Sequence, residues 1–257
     1  MRLPLPLPAP DTLAGRSILI TGAAGAMGRV ATEACLGAGA EVILLDRNVA
    51  ALETLRDEIL ARHPGAALAL LPFDLAGAGP EHYRELATTL ERHTPCLDGL
   101  LHSAAHLDHL EPLACLPPER WFQSLQVNLH APYLLVHHLL PLLQRSDDAS
   151  VVFTSDSSAR RAEAYWGAYG VSKVAVEALA RILGREWQVS PHLRANVLVP
   201  GPVASPMRHR AFPGTEKDLT GPHSLAKLYV YLLGPESRDH SGQVFTFQDE
   251  NHVLRSG

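Results

Sequence analysis

The chain has 257 residues, 46% hydrophobic and 19% charged, with a formal net charge of −5, which is enough apolar content for the core of one large domain. Nineteen arginines and three lysines are scattered without a basic stripe, which argues against a nucleic-acid partner. The most apolar stretch, Tyr133 to Leu143, is broken by His137, His138 and Pro141 and is too short to cross a bilayer, while Cys35, Cys96 and Cys115 have no CxxC spacing, so neither disulfide framework nor zinc site is expected and a cytoplasmic location fits.

Residues 1–13 come first in chain order: Met1 to Pro10 alternates Leu with Pro, which suits an extended, flexible arm and not the apolar helix of a signal peptide. Residues 14–257 then read as a single domain. Short apolar runs predict strands at Ser17–Thr21, Glu41–Leu45, Ala67–Phe73, Leu97–His102, Ser150–Thr154, Ala195–Val199 and Gln243–Phe247. Helical periodicity falls between them, at Ala26–Leu36, Ala50–Arg62, Pro80–Arg92, Pro118–Leu143, Trp166–Trp187 and Ser224–Leu233. This repeated βα rhythm predicts an α/β, Rossmann-type, doubly wound three-layer sandwich with about seven mainly parallel strands. A Pro- and Gly-rich stretch at about 200–222 reads as a long loop at the carboxyl ends of the strands, where substrate choice would lie.

The first strand runs directly into Gly22, Ala23, Ala24, Gly25, Ala26, Met27 and Gly28, a small-residue turn that opens a helix. A pyrophosphate approaches backbone N–H groups there because side chains are nearly absent, and the helix N-terminus favours an anion. Asp46 ends the second strand eighteen positions after Gly28, where a carboxylate accepts the adenosine ribose hydroxyls. That favours NAD over NADP, although Arg47 beside it would meet a 2′-phosphate and leaves NADP possible. Asp74, after the third strand, is a candidate for the adenine edge, with a plain turn carboxylate as its alternative.

Tyr169 and Lys173 stand four residues apart on one face of a predicted helix. A phenol titrates near pH 10 and is a poor base until a nearby ammonium stabilises its phenolate, so the pair suits proton transfer. His102, His106 and His109 gather around the fourth strand without a second cluster, and no metal site is expected from them. His137 and His138 are expected to face solvent or a partner subunit.

With these stretches, together with Asp74-Leu75, Val127-Asn128, Pro200-Gly201 and Ser241-Gly242-Gln243-Val244, the sequence resembles the short-chain dehydrogenase/reductase family from Ala14 to Phe247. More narrowly, Ser146-Asp147, Val152 to Ser155, Trp166 to Tyr169 and Arg210 to Pro213 resemble the YciK branch of that family. The resemblance implies that Tyr169 gives or takes the proton, that Lys173 binds the nicotinamide ribose and lowers the tyrosine pKa, and that Asn128 holds a relay water. It implies contacts to the cofactor from Leu75, from Ser103, Ala104 and Ala105, and from Pro200, Gly201, Val203 and Ser205. It also implies a homodimer or homotetramer paired through the two long helices.

Three positions depart from the family pattern. Ala26 replaces a glycine, Ser103 and Ala105 replace the ends of an Asn-Ala-Gly segment, and Asp156 stands thirteen positions before Tyr169, where the family has the serine that hydrogen-bonds the substrate carbonyl. Ser155 and Ser157 flank Asp156. The expected activity is hydride transfer between a nicotinamide dinucleotide and a small secondary alcohol or ketone. The alternative, raised by Asp156, is a dinucleotide-binding sensor or scaffold with little or no turnover.

Overall fold

The central strands are apolar at almost every position because helices cover both faces of their sheet. The computed structural model describes residues 1–6, 8–214, 219–249 and 251–256. Among the described residues its strands are β1 (Arg2–Pro4), β2 (Ser17–Thr21), β3 (Glu41–Asp46), β4 (Leu68–Pro72), β5 (Gly99–His102), β6 (Ala149–Thr154), β7 (Leu193–Val199), β8 (Val244–Asp249) and β9 (His252–Ser256). They form one sheet in the order β1-β9-β8-β7-β6-β5-β2-β3-β4, parallel from β8 through β4. Successive residues of a strand point to opposite faces. Ile18 and Ile20 therefore join Leu44, Val152 and Leu198 in a core beneath α1 (Ala26–Gly37), α2 (Val49–Arg62) and α9 (Ala226–Leu233). Leu19 joins Leu45, Phe153 and Val197 beneath α3 (Pro80–His93), α5 (Ala131–Gln144) and α7 (Gly167–Glu186). Each large side chain so buried contributes about 1.5–3 kcal/mol by removal from water.

Two expectations about the sheet are corrected. It has nine strands among the described residues, and the arm at residues 1–13 is docked through its described residues. Arg2, Leu3 and Pro4 pair antiparallel with Leu254, Val253 and His252, Leu5 N–H donates to the Asn251 carbonyl at 2.7 Å, and Leu5 and Leu13 are buried in the first core. The Leu-Pro alternation suits an outermost strand: Leu3 and Leu5 fall on the inward side, and Pro4 lies on an edge strand, where proline is tolerated.

The helix expected over Pro118–Leu143 is α4 (Pro118–Leu125), a π-helical turn at Gln126–His130, and α5. Pro132 carries no N–H for the Asn128 carbonyl, so the i→i−4 ladder cannot pass straight through. The loop expected at about 200–222 also contains structure. Ser205 Oγ accepts from Arg208 N–H at 3.1 Å and caps α8 (Pro206–Ala211), and Val203 bridges to Thr220. Residues 215–218 of that loop lie outside the described residues. Among the described residues, no helix is long and apolar enough to cross a membrane.

Candidate active site

The strand order reverses between β2 and β5, and their connections leave on opposite faces, which opens a crevice at the carboxyl ends of the strands. A cavity of about 280 Å³ occupies it. Gly22 forms its floor with φ +65°, where a Cβ would lie 2.7 Å from Ala104 Cα. A Cβ on Gly28 would come within 2.1 Å of the Gly22 carbonyl oxygen, so α1 starts pressed against the turn. Gly25, the N-cap of α1, makes no side-chain cap, and the first-turn N–H groups are left for an anion.

Ala26, Met27, Asp46, Arg47, Asp74, Leu75, Ser103, Ala104, Ala105 and Ser205 line this cavity together with the glycines, as the sequence leads one to expect. Ala24 bonds to one of them: its N–H donates to Asp46 Oδ2 at 3.2 Å, and Asp46 Oδ1 accepts from Asn48 N–H at 3.0 Å. The Asp46 carboxylate therefore ties the phosphate-side turn to the end of β3. Asp74 Oδ1 likewise accepts from Ala76 N–H at 3.1 Å. A side-chain-free floor, open helix N–H groups and a carboxylate beside a guanidinium fit a nicotinamide dinucleotide.

A second cavity of about 350 Å³ adjoins the first through Met27, Ser103, Ala105, Ser205 and Met207. Tyr169, Lys173 and Asp156 face it, as do Pro200, Gly201 and Val203. Lys173 Nζ lies 5.5 Å from the Tyr169 ring centroid and donates to the Thr154 carbonyl at 2.9 Å. Burial brings the Lys173 pKa down to about 8, against the pull of the Asp156 charge. Tyr169 Oη donates to Asp156 Oδ2 at 3.3 Å. Burial, then the Asp156 charge and this hydrogen bond, hold the phenol well above its ordinary value of 10. The other oxygen, Asp156 Oδ1, accepts from Ser158 N–H at 2.7 Å and caps α6 (Ser157–Arg160). Asp156 thus both caps the following turn and meets the phenol.

Two residues expected at the chemistry have their side chains spent elsewhere. Ser155 Oγ donates to Glu177 Oε1 at 2.7 Å, away from the Tyr169 hydroxyl. Asn128 sits in the π-helical turn, where its Oδ1 accepts from His106 N–H at 2.7 Å and its Nδ2 donates to the His106 carbonyl at 2.9 Å. Asn128 pins the loop that follows β5 and stands behind the cavity wall. Glu177, which holds Ser155 and also accepts from Arg160 Nε at 2.8 Å, escaped the sequence reading. Its spacing carried the signal, since Tyr169, Lys173 and Glu177 repeat every four residues along one face of α7.

The three histidines near β5 are separate from one another in role. His102 is buried and stacked on Phe153 at 4.7 Å, and burial, with the nearby Lys173 charge, brings it down to about 3. His106 lines the dinucleotide cavity, and His109 contacts Arg120. Among the described residues, no group of three or more metal-ligating side chains stands together.

Residues 16–216 match the family model described as short chain dehydrogenase. The chain is 38% identical to the oxidoreductase YciK of Escherichia coli K12 over 94% of this chain and 95% of that one. It is similar in structure to a protein of Escherichia coli CFT073, described as a short chain dehydrogenase and complexed with NADPH: TM-score 0.89, 37% identity, 93% of this chain and 99% of that one. A counterpart from Shigella flexneri 2a, complexed with NADP, gives a TM-score of 0.87 at 37% identity over the same shares.

Proposed function

The chain belongs to the short-chain dehydrogenase family of oxidoreductases, and from that premise we propose that it reduces the carbonyl of a small ketone to a secondary alcohol, with Tyr169 as the proton donor. The observation that carries this reading is a buried, protonated phenol facing the cavity next to the dinucleotide site. A nicotinamide dinucleotide, when bound, supplies the hydride. Tyr169 Oη gives its proton to the developing alkoxide, a step that general acids of matched position accelerate. Lys173 holds positive charge one helical turn away and favours the phenolate left behind. The apolar walls of Leu107, Trp166 and Phe212 keep water from the reacting carbon. Tyr169→Phe is expected to abolish turnover in a ketone screen read by nicotinamide absorbance, with dinucleotide affinity kept within about threefold because the ring stays. Undiminished turnover in that variant would overturn the reading.

A nicotinamide cofactor suits the family, but the preference for NAD expected from Asp46 gains no support from relatives that hold NADPH and NADP. We propose that the site accepts NADP(H) alongside NAD(H). Asp46 is engaged by two backbone N–H groups, and Arg47 on the same cavity rim offers a 2′-phosphate a charge-assisted partner. Calorimetric titration is expected to give NADPH and NADH dissociation constants within about tenfold, or 1.4 kcal/mol, of each other. Arg47→Ala should weaken NADPH alone; a much tighter NADH complex in the parent would restore the Asp46 argument.

One observation favours a second reading, in which the protein binds the dinucleotide with little turnover: the Tyr169 proton is already directed at Asp156. Dinucleotide binding without reduction of any ketone in the screen would support it. For assembly, the exposed apolar side chains on α4, α5 and α7 support pairing of two copies of the chain.

A further inference from the structure

The second cavity contains a cation that no carboxylate among the described residues neutralises. Asp156, Lys173, Arg161, Glu163 and Arg208 are the charged side chains that line it among the described residues. Asp156 accepts from Tyr169 and Ser158, and Lys173 donates to the Thr154 carbonyl. Arg161 Nε donates to Glu163 Oε1 at 2.5 Å. Arg208 has no acidic partner among the described residues: its guanidinium lies over the Phe212 ring, 4.3 Å from the centroid, and its Nε is buried with no acceptor. Stacking fixes the plane of the guanidinium fork without satisfying its donors. A buried N–H of a charged group with no acceptor is costly, and a ligand oxygen removes that cost.

The surroundings say what kind of ligand would do so. Phe212 meets Trp166 at 5.8 Å between centroids, and Trp166 meets Tyr169 at 5.6 Å. Leu107 and Met207 pack on the same cluster. The cation and the phenol therefore stand at the two ends of one aromatic and aliphatic wall. Such a wall accepts methylenes, and a guanidinium fork matches the two oxygens of a carboxylate. Arg161 is unsuited to the role because Glu163 already occupies it.

We propose that Arg208 is the carboxylate-binding residue of the substrate site, and that the substrate is an oxo acid whose carboxylate is separated from the reacting carbonyl by a short apolar chain. Which carbon reacts rests on the reductase reading above; the anion site does not. The competing anion is the cofactor pyrophosphate, but Arg208 lines the second cavity and not the first.

Hexanoate, which carries the carboxylate and the chain but no carbonyl to reduce, isolates the anion site. Titrated into the full chain, with and without NADP⁺, and followed by intrinsic tryptophan fluorescence, to which Trp166 in the cavity wall contributes, it is expected to bind about tenfold more tightly than hexanamide. Arg208→Gln should erase that difference, Arg208→Lys should keep part of it, and Arg161→Gln should leave it intact. Equal binding of acid and amide, binding of neither, or an acid preference that survives Arg208→Gln would overturn the inference. So would a loss of NADPH affinity in Arg208→Gln with hexanoate binding untouched. The reductase reading is tested separately by turnover of 5-oxohexanoate and its methyl ester. Hexanoate binding through Arg208 without reduction of either compound sinks that reading and leaves the anion site standing. Equal reduction of acid and ester, unaffected by Arg208→Gln, does the reverse.

Discussion

Tyr169 Oη and Asp156 Oδ2 are 3.3 Å apart, and that contact bears on the direction in which the phenol works. Two unit charges near 4 Å repel by about 4 kcal/mol at an effective dielectric of about 20. Ionising Tyr169 beside Asp156 is therefore disfavoured on top of the cost of burial, and under the proposed function the phenol serves better as an acid for reduction than as a base for oxidation. Asp156→Ser removes the repulsion and restores a donor. It is expected to raise the rate of alcohol oxidation at neutral pH by roughly tenfold or more, since 1.36 kcal/mol of barrier is a factor of ten. Lys173 adds a pH signature. The proposed mechanism needs its ammonium beside the phenolate; that ammonium is lost as pH rises through about 8, and Asp156 is the group that holds that value up against burial. The alkaline limb of the rate profile should therefore move to lower pH in Asp156→Ser. A limb that stays in place, or an oxidation rate no faster than the parent's, would remove Asp156 from the account. Spacing brought Tyr169 and Lys173 together in the sequence, and the family resemblance set Asp156 beside them. The sequence could not show that Ser155 turns to Glu177 or that Asn128 turns to His106, because those choices depend on partners 22 residues away in each case.

Elements were legible wherever one local pattern decided them. The inner parallel strands stand out because burial on both faces demands unbroken apolar runs, edge strand β4 is apolar though only partly buried, and the ends differ from expectation by a residue or two, as fraying ends do. β1, an edge strand, and β9, which lies between β1 and β8, were missed because their composition is mixed: Arg2, Pro4, His252 and Arg255 occupy positions that face water in part. Helical periodicity found the wide apolar faces of α4, α5 and α7, but periodicity does not say what covers them. In the single chain, Phe122 of α4, Tyr133 of α5, and Val171, Val174 and Ile182 of α7 remain exposed, although α4 packs on α7. Exposed apolar side chains grouped on neighbouring helices mark interaction surfaces. Sedimentation of the chain at micromolar concentration is expected to show a dimer or tetramer of the 27.8 kDa protomer, and Val174→Asp with Ile182→Asp should shift it toward monomer. A monomeric parent would leave those side chains without a partner of their own kind.

At the scale of the whole molecule, the two cavities lie at the carboxyl ends of the strands, and the amino ends are fastened by a charge cluster that composition gave no hint of. Asp148, before β6, accepts from Arg16 Nη1 at 2.8 Å and from Arg194 Nη1 of β7. Arg238, beyond α9, reaches the same carboxylate at 3.1 Å, but its side chain is 57% exposed and its share is small. Arg194 also donates to the Gly234 carbonyl at 2.7 Å and to Ser237 at 3.0 Å, so the cluster joins segments from both halves of the chain. Burial alone would raise the Asp148 pKa, yet the charge and hydrogen bond of Arg194, with help from Arg238 and Arg16, hold it below its ordinary 3.8. A carboxylate depressed in the folded state contributes stability that is fully present above its unfolded value and is lost as pH falls through the folded one. Asp148→Asn leaves the buried Arg194 uncompensated, which costs about 3–5 kcal/mol, or a melting temperature lower by roughly 10 °C in a chain of this size. Urea denaturation of parent and variant should therefore differ by that amount at pH 7 and converge well below pH 3.8, where the parent carboxyl is itself protonated. A difference that is absent at pH 7, or that persists unchanged into acid, would show that packing and not the charge cluster fastens that end of the sheet.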